Sequence, residues 1–455
     1  MKLIVPAVEV ALSLLWSTAV GWTILRRWLH DCLPAERVAW GLAMGLLTRS
    51  SLYLLALRVH VSPSPAALLG GEMLLLVGAL FIRSSPKTTP LPHFAGLGAH
   101  ILFALAILIV LANGWRFVSR PLWTTDYLAI WGLKAKTIFF SHSIPDRVFH
   151  DAGTQWSHPE YPLLVPLSLA SLAASIARFD DRALGILYVA VELATISIIL
   201  GYLRRSTGAL LGATGALLTA LFFPLYQPVN AGTGEIPLAL GFLLLGTAYL
   251  DSLEPGRENA PLVRLAIASL YCAATKQEGA LFVVVLAASL AISSLRRKPR
   301  TLLPRDLLKC ELVLLLPLVA HAALLRMMRG PVTRRAFDLS LIRPGKWPEW
   351  WQRIAQTLSH IARIEVPQAS VAIGALLTLL LLTKAGRSGI LLGSVLAQVA
   401  VYIVIMSLSA LGVDWLISAS FGRLVETLVP LILLITVERL GSFQSLRPQA
   451  ARALC

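Results

Sequence analysis

Trp115–Tyr161, WRFVSRPLWTTDYLAIWGLKAKTIFFSHSIPDRVFHDAGTQWSHPEY, is the longest polar interval in the first half of an otherwise largely apolar chain. It opens on Trp-rich sequence and carries a lone acid at Asp126. It then runs through an amphipathic segment with Lys134 and Lys136 and closes on His158-Pro159-Glu160-Tyr161-Pro162. The fold turns on which side of a bilayer this interval faces.

Hydrophobic residues fill 56% of the 455 positions, charged residues only 14%, and the mean hydropathy is +0.73. A soluble fold cannot hide that much apolar surface, so the chain reads as an all-α polytopic protein of the plasma (inner) membrane. The alternating ten-residue pattern of an outer-membrane barrel is absent. The net charge of +16 comes from Lys and Arg placed between apolar runs, which is first a topology signal. No soluble basic module exists to carry nucleic-acid binding. Cys32, Cys272, Cys310 and Cys455 have no CxxC spacing, so neither a metal site nor a disulfide framework is indicated.

Apolar runs occupy 3–25, 36–57, 66–83, 96–113, 183–203, 207–227, 237–250, 262–275, 279–295, 311–328, 367–383, 388–407 and 424–440. Short basic loops follow several of them: Arg26-Arg27 with Arg37, Arg83 with Lys87, Arg204-Arg205, Arg296–Arg300, and Lys384 with Arg387. If these are cytoplasmic, the Asp126 loop is extracytoplasmic, and the ambiguous run 161–177 lies along the outer interface or re-enters rather than crossing. The bookkeeping gives about 13 spans, amino terminus out and carboxyl terminus in. Arg49 and Glu72 fall inside the second and third spans and are expected to pair within the bundle.

The same parity collects Asp126, Glu235, Lys276, Glu278 and Arg423 on the outer side. Asp126 is a candidate general base, or else a helix cap before LAIWGLKAK. Lys276 and Arg423 are candidate cations for a phosphate, or else snorkel to headgroups. Lys134 and Lys136 stand two apart and diverge on a helix, so they do not serve one phosphate. Glu235 and Glu278 are candidates to bind the acceptor, orient a cation or hold Lys276, with Glu278 the expected partner of Lys276. His158 before Pro159 contacts a sugar or sets the chain entering the interface. Trp115, Trp123, Trp131 and Trp156 read mainly as an aromatic belt. Loop 329–366, with Arg334, Arg335, Arg343, Lys346 and Trp347, Trp350 and Trp351, is expected to cover the site.

Five segments in order, TTDYLAIWGLKAK (124–136), HPEYPLL (158–164), GTGEIPLAL (232–240), ATKQEG (274–279) and WLISASFGRLVETLVP (415–430), carry a resemblance. Together the set resembles the GT-C superfamily of membrane glycosyltransferases, among them the protein O-mannosyltransferases and the lipid A aminoarabinose transferase. The likeness covers roughly 96–440 and leaves 1–95 as three additional N-terminal helices. It implies a catalytic core over 96–328 with an outer loop at 114–182, the covering loop 329–366, and C-terminal helices with a cytoplasmic tail over 367–455. It also implies a GT-C-like bundle with amphipathic outer-interface helices. Asp126 then becomes the base of an inverting transfer from a polyprenyl-phosphate sugar to a glycan, lipid or protein acceptor. Lys276 and Arg423 would hold the donor phosphate, and Glu235, Glu278, His158 and Tyr161 the acceptor or sugar. Many relatives carry an Asp-Glu pair where this chain has Asp126-Tyr127, which leaves a paired-carboxylate or divalent-metal role open but not indicated. Two other classes compete: an O-antigen ligase or polymerase, whose decisive loop would come late, and a transporter or lipid flippase, which would show broken spans in two halves.

Overall fold

Apolar runs bounded by prolines, caps and basic residues become helices throughout the computed structural model, which describes residues 4–81, 96–144, 157–254, 259–296, 304–329, 339–363, 388–409 and 413–452. Before the polar interval lie α1 (Ile4–Leu25), α2 (Pro34–Arg58), α3 (Pro65–Leu80) and α4 (Leu97–Ser119). A π-helical turn, Tyr127–Trp131, leads into α5 (Gly132–Ser141), followed by α6 (Leu164–Ser175). Then come α7 (Ile186–Ser206), α8 (Ala209–Asn230), α9 (Glu235–Ser252), α10 (Asn259–Thr275), α11 (Gln277–Arg296) and α12 (Pro304–Arg329). The chain ends with α13 (Trp347–Arg363), α14 (Gly389–Ser407), an irregular segment over 413–426 holding a second π-helical turn, Ile417–Phe421, and α15 (Val429–Arg452).

Every apolar run read from the sequence holds a helix, except 367–383, which lies outside the described residues. Among the described residues, seven helical stretches are long and apolar enough to cross a membrane: Ile4–Trp28, Pro34–Arg58, Leu97–Ser119, Ala183–Ser206, Leu308–Met327, Gly389–Ser407 and Val413–Gly441. Several present leucines outward, such as Leu308, Leu312 and Leu316 on α12. Stripes of that extent are tolerated against lipid rather than water. The chain is a multi-pass, all-helical membrane protein.

α9 is the axis. Every residue from Glu235 to Asp251 is buried, as expected of a helix apolar on all sides. Its 18 residues reach about 27 Å. α7, α10, α11 and α15 surround it. α1 and α2 share one continuous core with these helices.

The crossing of α1 and α2 depends on missing side chains. Gly41 and Gly45 on α2 face Ser17 and Gly21 on α1, and a Cβ on Gly45 would sit 2.3 Å from the Ser17 carbonyl oxygen. That approach lets Arg49 reach across. Arg49 donates to Ser17 Oγ at 2.6 Å, Ser17 donates to Glu72 Oε1 at 2.8 Å, and the two charges stand 3.9 Å apart, almost fully buried. The expected Arg49–Glu72 pair is therefore present, with Ser17 as an intermediary that spacing did not show.

Of the two readings of segment 161–177, the structure removes the one along an interface, because an interfacial helix keeps one wet face and residues 164–174 of α6 are all buried. Twelve residues reach only about 18 Å, so this is a short helix inserted among α1, α2, α3 and α5. Its Ala and Ser side chains allow close packing on every side. Amphipathic character belongs instead to α13, which buries Thr357 and exposes Trp347 and Trp351.

At the end of the bundle away from Asp126, a closed charge cluster ties α2, α7, α9 and α10 together. Arg205 meets Glu36 through Nε (3.2 Å) and Nη2 (2.8 Å), and Asp251 through Nη1 (2.9 Å) and Nη2 (3.0 Å). Arg264 donates to Asp31 at 2.8 Å and lies 3.2 Å from Asp251. Glu36 also accepts the Leu33 backbone N–H at 2.8 Å, closing the start of α2.

Candidate active site

Asp126 enters the site because a neighbour relieves it of capping. Thr124 Oγ1 accepts the Tyr127 N–H at 3.3 Å and donates to the Ala231 carbonyl at 2.7 Å. The Asp126 side chain makes no cap. Its Oδ2 instead accepts from Arg423 Nη1 at 2.5 Å, across 297 positions of sequence. Among the described residues nothing donates to Oδ1, and the side chain is 26% exposed.

The residue after Asp126 is held at both ends. The Tyr127 ring occupies a slot left by two glycines. A Cβ on Gly132 or on Gly232 would come within 2.6 Å of the ring, and Gly232 has φ +87°, a conformation other residues adopt only with strain. The Tyr127 hydroxyl donates to Asp181 Oδ1 at 2.5 Å, and Lys136 donates to Asp181 Oδ2 at 2.9 Å. Burial, with Asp181 beside it, raises the phenol above its ordinary value, so it remains a neutral donor. Lys134 goes the other way, as its spacing from Lys136 implied. It is fully buried and donates to the His158 carbonyl at 2.5 Å.

From Asp126 the charges alternate. Arg423 Nη1 lies 3.6 Å from Glu235 Oε1, which is 2.9 Å from Lys276 Nζ, and Lys276 is 3.1 Å from Glu278 Oε1. Glu235 opens α9 and Lys276 fills the one-residue break between α10 and α11. Burial works against the lysine charge, but Glu235 and Glu278 outweigh it and hold its pKa well above the usual value. Lys276 does not snorkel. Two carboxylates share it, so a phosphate reaching Lys276 would compete with both. Glu278 pairs with it as expected, and Glu235 does so as well.

An aromatic stack closes one side. Tyr161 lies 5.5 Å from Trp131 and 4.5 Å from His158, ring centre to ring centre, and Lys276 Nζ is 5.9 Å from the Tyr161 ring. His158 has φ +52° and contacts Glu160 through Nδ1 at 3.0 Å. Its stacking and its carbonyl both shape the turn, which agrees with a chain-setting role. Burial raises the Tyr161 phenol, with Glu278 adding to the effect. Trp115 and Trp123 are well exposed, as a belt requires, whereas Trp131 is fully buried and belongs to the site. Trp156 lies outside the described residues.

The described part of loop 329–366 packs on the arm leading to Arg423. Trp350 Nε1 donates to Ser407 Oγ (3.0 Å), Arg353 to the Ser409 carbonyl (2.7 Å), and His360 Nδ1 stands 3.1 Å from Asp414. Arg343 and Lys346 are exposed, and Arg334 and Arg335 lie outside the described residues.

Asp126, His158, Tyr161, Glu235, Lys276, Glu278 and Arg423 thus form one connected group. Sequence reasoning missed Thr124 and Asp181, read Tyr127 only as the replacement of a second acid, and gave Trp131 to the belt and Lys136 no partner, although the glycines at 132 and 232 were a legible hint of a bulky neighbour. Among the described residues no three His, Cys, Asp or Glu side chains assemble to hold a metal ion. No protein-family model, curated protein or solved structure matches the chain.

Proposed function

We propose that the chain is an inverting glycosyltransferase that moves a sugar from a polyprenyl-phosphate donor to an acceptor outside the cytoplasm. The proposal includes a GT-C-like bundle of about 13 crossings, with Asp126 as general base. The observation that carries it is the Asp126 carboxylate. One oxygen is fixed by Arg423, the other is free of donors among the described residues, and the side chain remains accessible in an otherwise buried charge network. A base needs an open lone pair within reach of the acceptor hydroxyl and a fixed direction. Single displacement at the anomeric carbon inverts configuration and needs no second carboxylate as nucleophile, in keeping with Tyr127 at the next position. Arg423 orients the base. Tyr161 and Glu278, both partly exposed, would meet the sugar or acceptor, with the buried Glu235 behind them.

The test is transfer from a labelled polyprenyl-phosphate sugar, wild type against Asp126→Asn, in protein of equal folded yield. The expected loss is about a hundredfold to ten-thousandfold. Undiminished transfer in the Asn variant removes Asp126 as base.

One observation favours a second reading. The Arg49–Ser17–Glu72 relay is a buried charge pair inside the bundle, the kind of group that marks transport paths. Substrate uptake driven by an ion gradient and abolished in Glu72→Gln, with no sugar transfer, would favour a transporter or flippase.

A further inference from the structure

A cavity of about 460 Å³ opens where α4 ends, bounded chiefly by Trp115, Arg116, Phe117, Arg120, Trp123 and Ala231. None of these residues belongs to the charge network around Asp126, yet the two places adjoin. Ala231 supplies the carbonyl that takes the Thr124 hydroxyl, and Trp123 stands three positions before Asp126.

Arg116 lies in the last turn of α4 and Arg120 follows its end in extended conformation, and both line the cavity. Among the described residues no carboxylate pairs with either. The lining between them is largely aromatic and aliphatic, so an occupant must offer an anion to the guanidinium groups and apolar surface to the rest. α4 extends that surface. Leu97, Ile101, Leu105, Leu108 and Leu111 are all exposed, and with Trp115 they trace one stripe along the helix towards the cavity. From Leu97 to Arg116 the stripe covers about 28 Å, close to the hydrocarbon depth of a bilayer.

The Asp126 network cannot supply this anion site itself. It holds two cations, Lys276 and Arg423, against three carboxylates, Asp126, Glu235 and Glu278. A phosphate leaving group would meet net negative charge there.

We propose that this cavity binds the phosphate of a long-chain lipid phosphate, gripped by Arg116 and Arg120, with the chain laid along the exposed stripe of α4. This rests on the transferase reading for its role, since it sets the donor's leaving group beside Asp126. The binding itself is independent of catalysis.

The test uses the full chain in nanodiscs of neutral lipid and titrates geranylgeranyl phosphate, read by quenching of tryptophan fluorescence and by native mass spectrometry. Geranylgeraniol and inorganic phosphate serve as the two half-ligands and phosphatidylglycerol as a competing anionic lipid. Wild type is expected to bind the lipid phosphate at least tenfold more tightly than either half-ligand. An Arg116→Gln/Arg120→Gln variant should weaken it roughly ten- to hundredfold, and Asp126→Asn should leave it unchanged. Equal binding by the double Gln variant overturns the site. Equal binding of geranylgeraniol overturns the phosphate, equal binding of inorganic phosphate overturns the lipid chain, and equal competition by phosphatidylglycerol reduces the cavity to a general headgroup contact. The half-ligand comparison on wild-type protein depends on no variant. Retained lipid-phosphate binding without sugar transfer would refute the transferase reading and leave this one standing.

Discussion

The molecule carries two buried charge clusters at opposite ends of α9, about 24 Å apart along its axis from Glu235 to Asp251. They have the same formal make-up. Arg205 and Arg264 face Glu36, Asp31 and Asp251 at one end, while Lys276 and Arg423 face Asp126, Glu235 and Glu278 at the other. Charge count therefore does not tell them apart. Geometry does. Arg205 engages two carboxylates through paired contacts and sits where regular helices begin and end. The Asp126 cluster is a chain of single contacts mounted on irregular backbone: two π-helical turns, a positive-φ glycine and a one-residue helix break. Saturated contacts on regular helices hold the bundle together, whereas open lone pairs on interrupted ones are available for chemistry.

The sharpest way to break that contrast is to exchange effects between the ends. Asp126→Asn is expected to cost about two to four orders of magnitude in transfer rate with little change in thermal stability. Arg205→Met should do the reverse. It takes the cation from Glu36 and leaves Asp251 with Arg264 alone, a loss of about 3–5 kcal/mol in unfolding from detergent, while the folded fraction keeps its specific activity. An Arg205→Met protein that is fully stable but inactive would invert the assignment.

Lys276→Met tests whether the Asp126 cluster is partly structural. Glu235 and Glu278 lose their shared cation, and destabilisation of about 3–5 kcal/mol is expected, with part recovered when Glu235→Gln is added. No recovery would mean that the lysine acts through something other than the carboxylates.

Gly232→Ala should cost about 1–3 kcal/mol and lower the transfer rate, because its methyl group meets the Tyr127 ring. Gly98→Ala, where an added Cβ meets nothing within 4 Å, is the control and should do neither.

The smallest effect is with pH. The folded-state pKa of Lys276 is raised, so its stabilising contribution is complete below the unfolded value of about 10.4. It fades only as pH climbs through the higher folded value. The stability difference between wild type and Lys276→Met should therefore be flat from pH 7 to pH 9. A decline across that window would show a lysine far less well paired.

Much of this was legible before any coordinates. Apolar runs mark helices because a bilayer forces backbone hydrogen bonds to close within a segment, and a charge inside such a run must find a partner, as Arg49 and Glu72 did. Polar turns on one side were enough to assemble the site residues. What stayed hidden was pairwise. Nothing local to Lys276 shows that Glu235, forty-one positions earlier, joins Glu278 in holding it. The run holding α6 stayed ambiguous because even burial on every side leaves no amphipathic signature to separate an interfacial helix from a re-entrant one. The anchoring of Tyr127 was hidden because its holders, Gly232 and Asp181, come from distant elements.

A π-helical turn holds one residue more than the α-helical path it replaces. Rewinding either turn, 127–131 or 417–421, into α-helix with all its residues kept would swing everything on its far side by about 100° around the axis. Whether carboxylate and guanidinium meet is thus a question of rotational phase, set by two turns hundreds of positions apart. A chain in which one of them rewound would keep its charges, its helices and its composition, and its acid would face another direction.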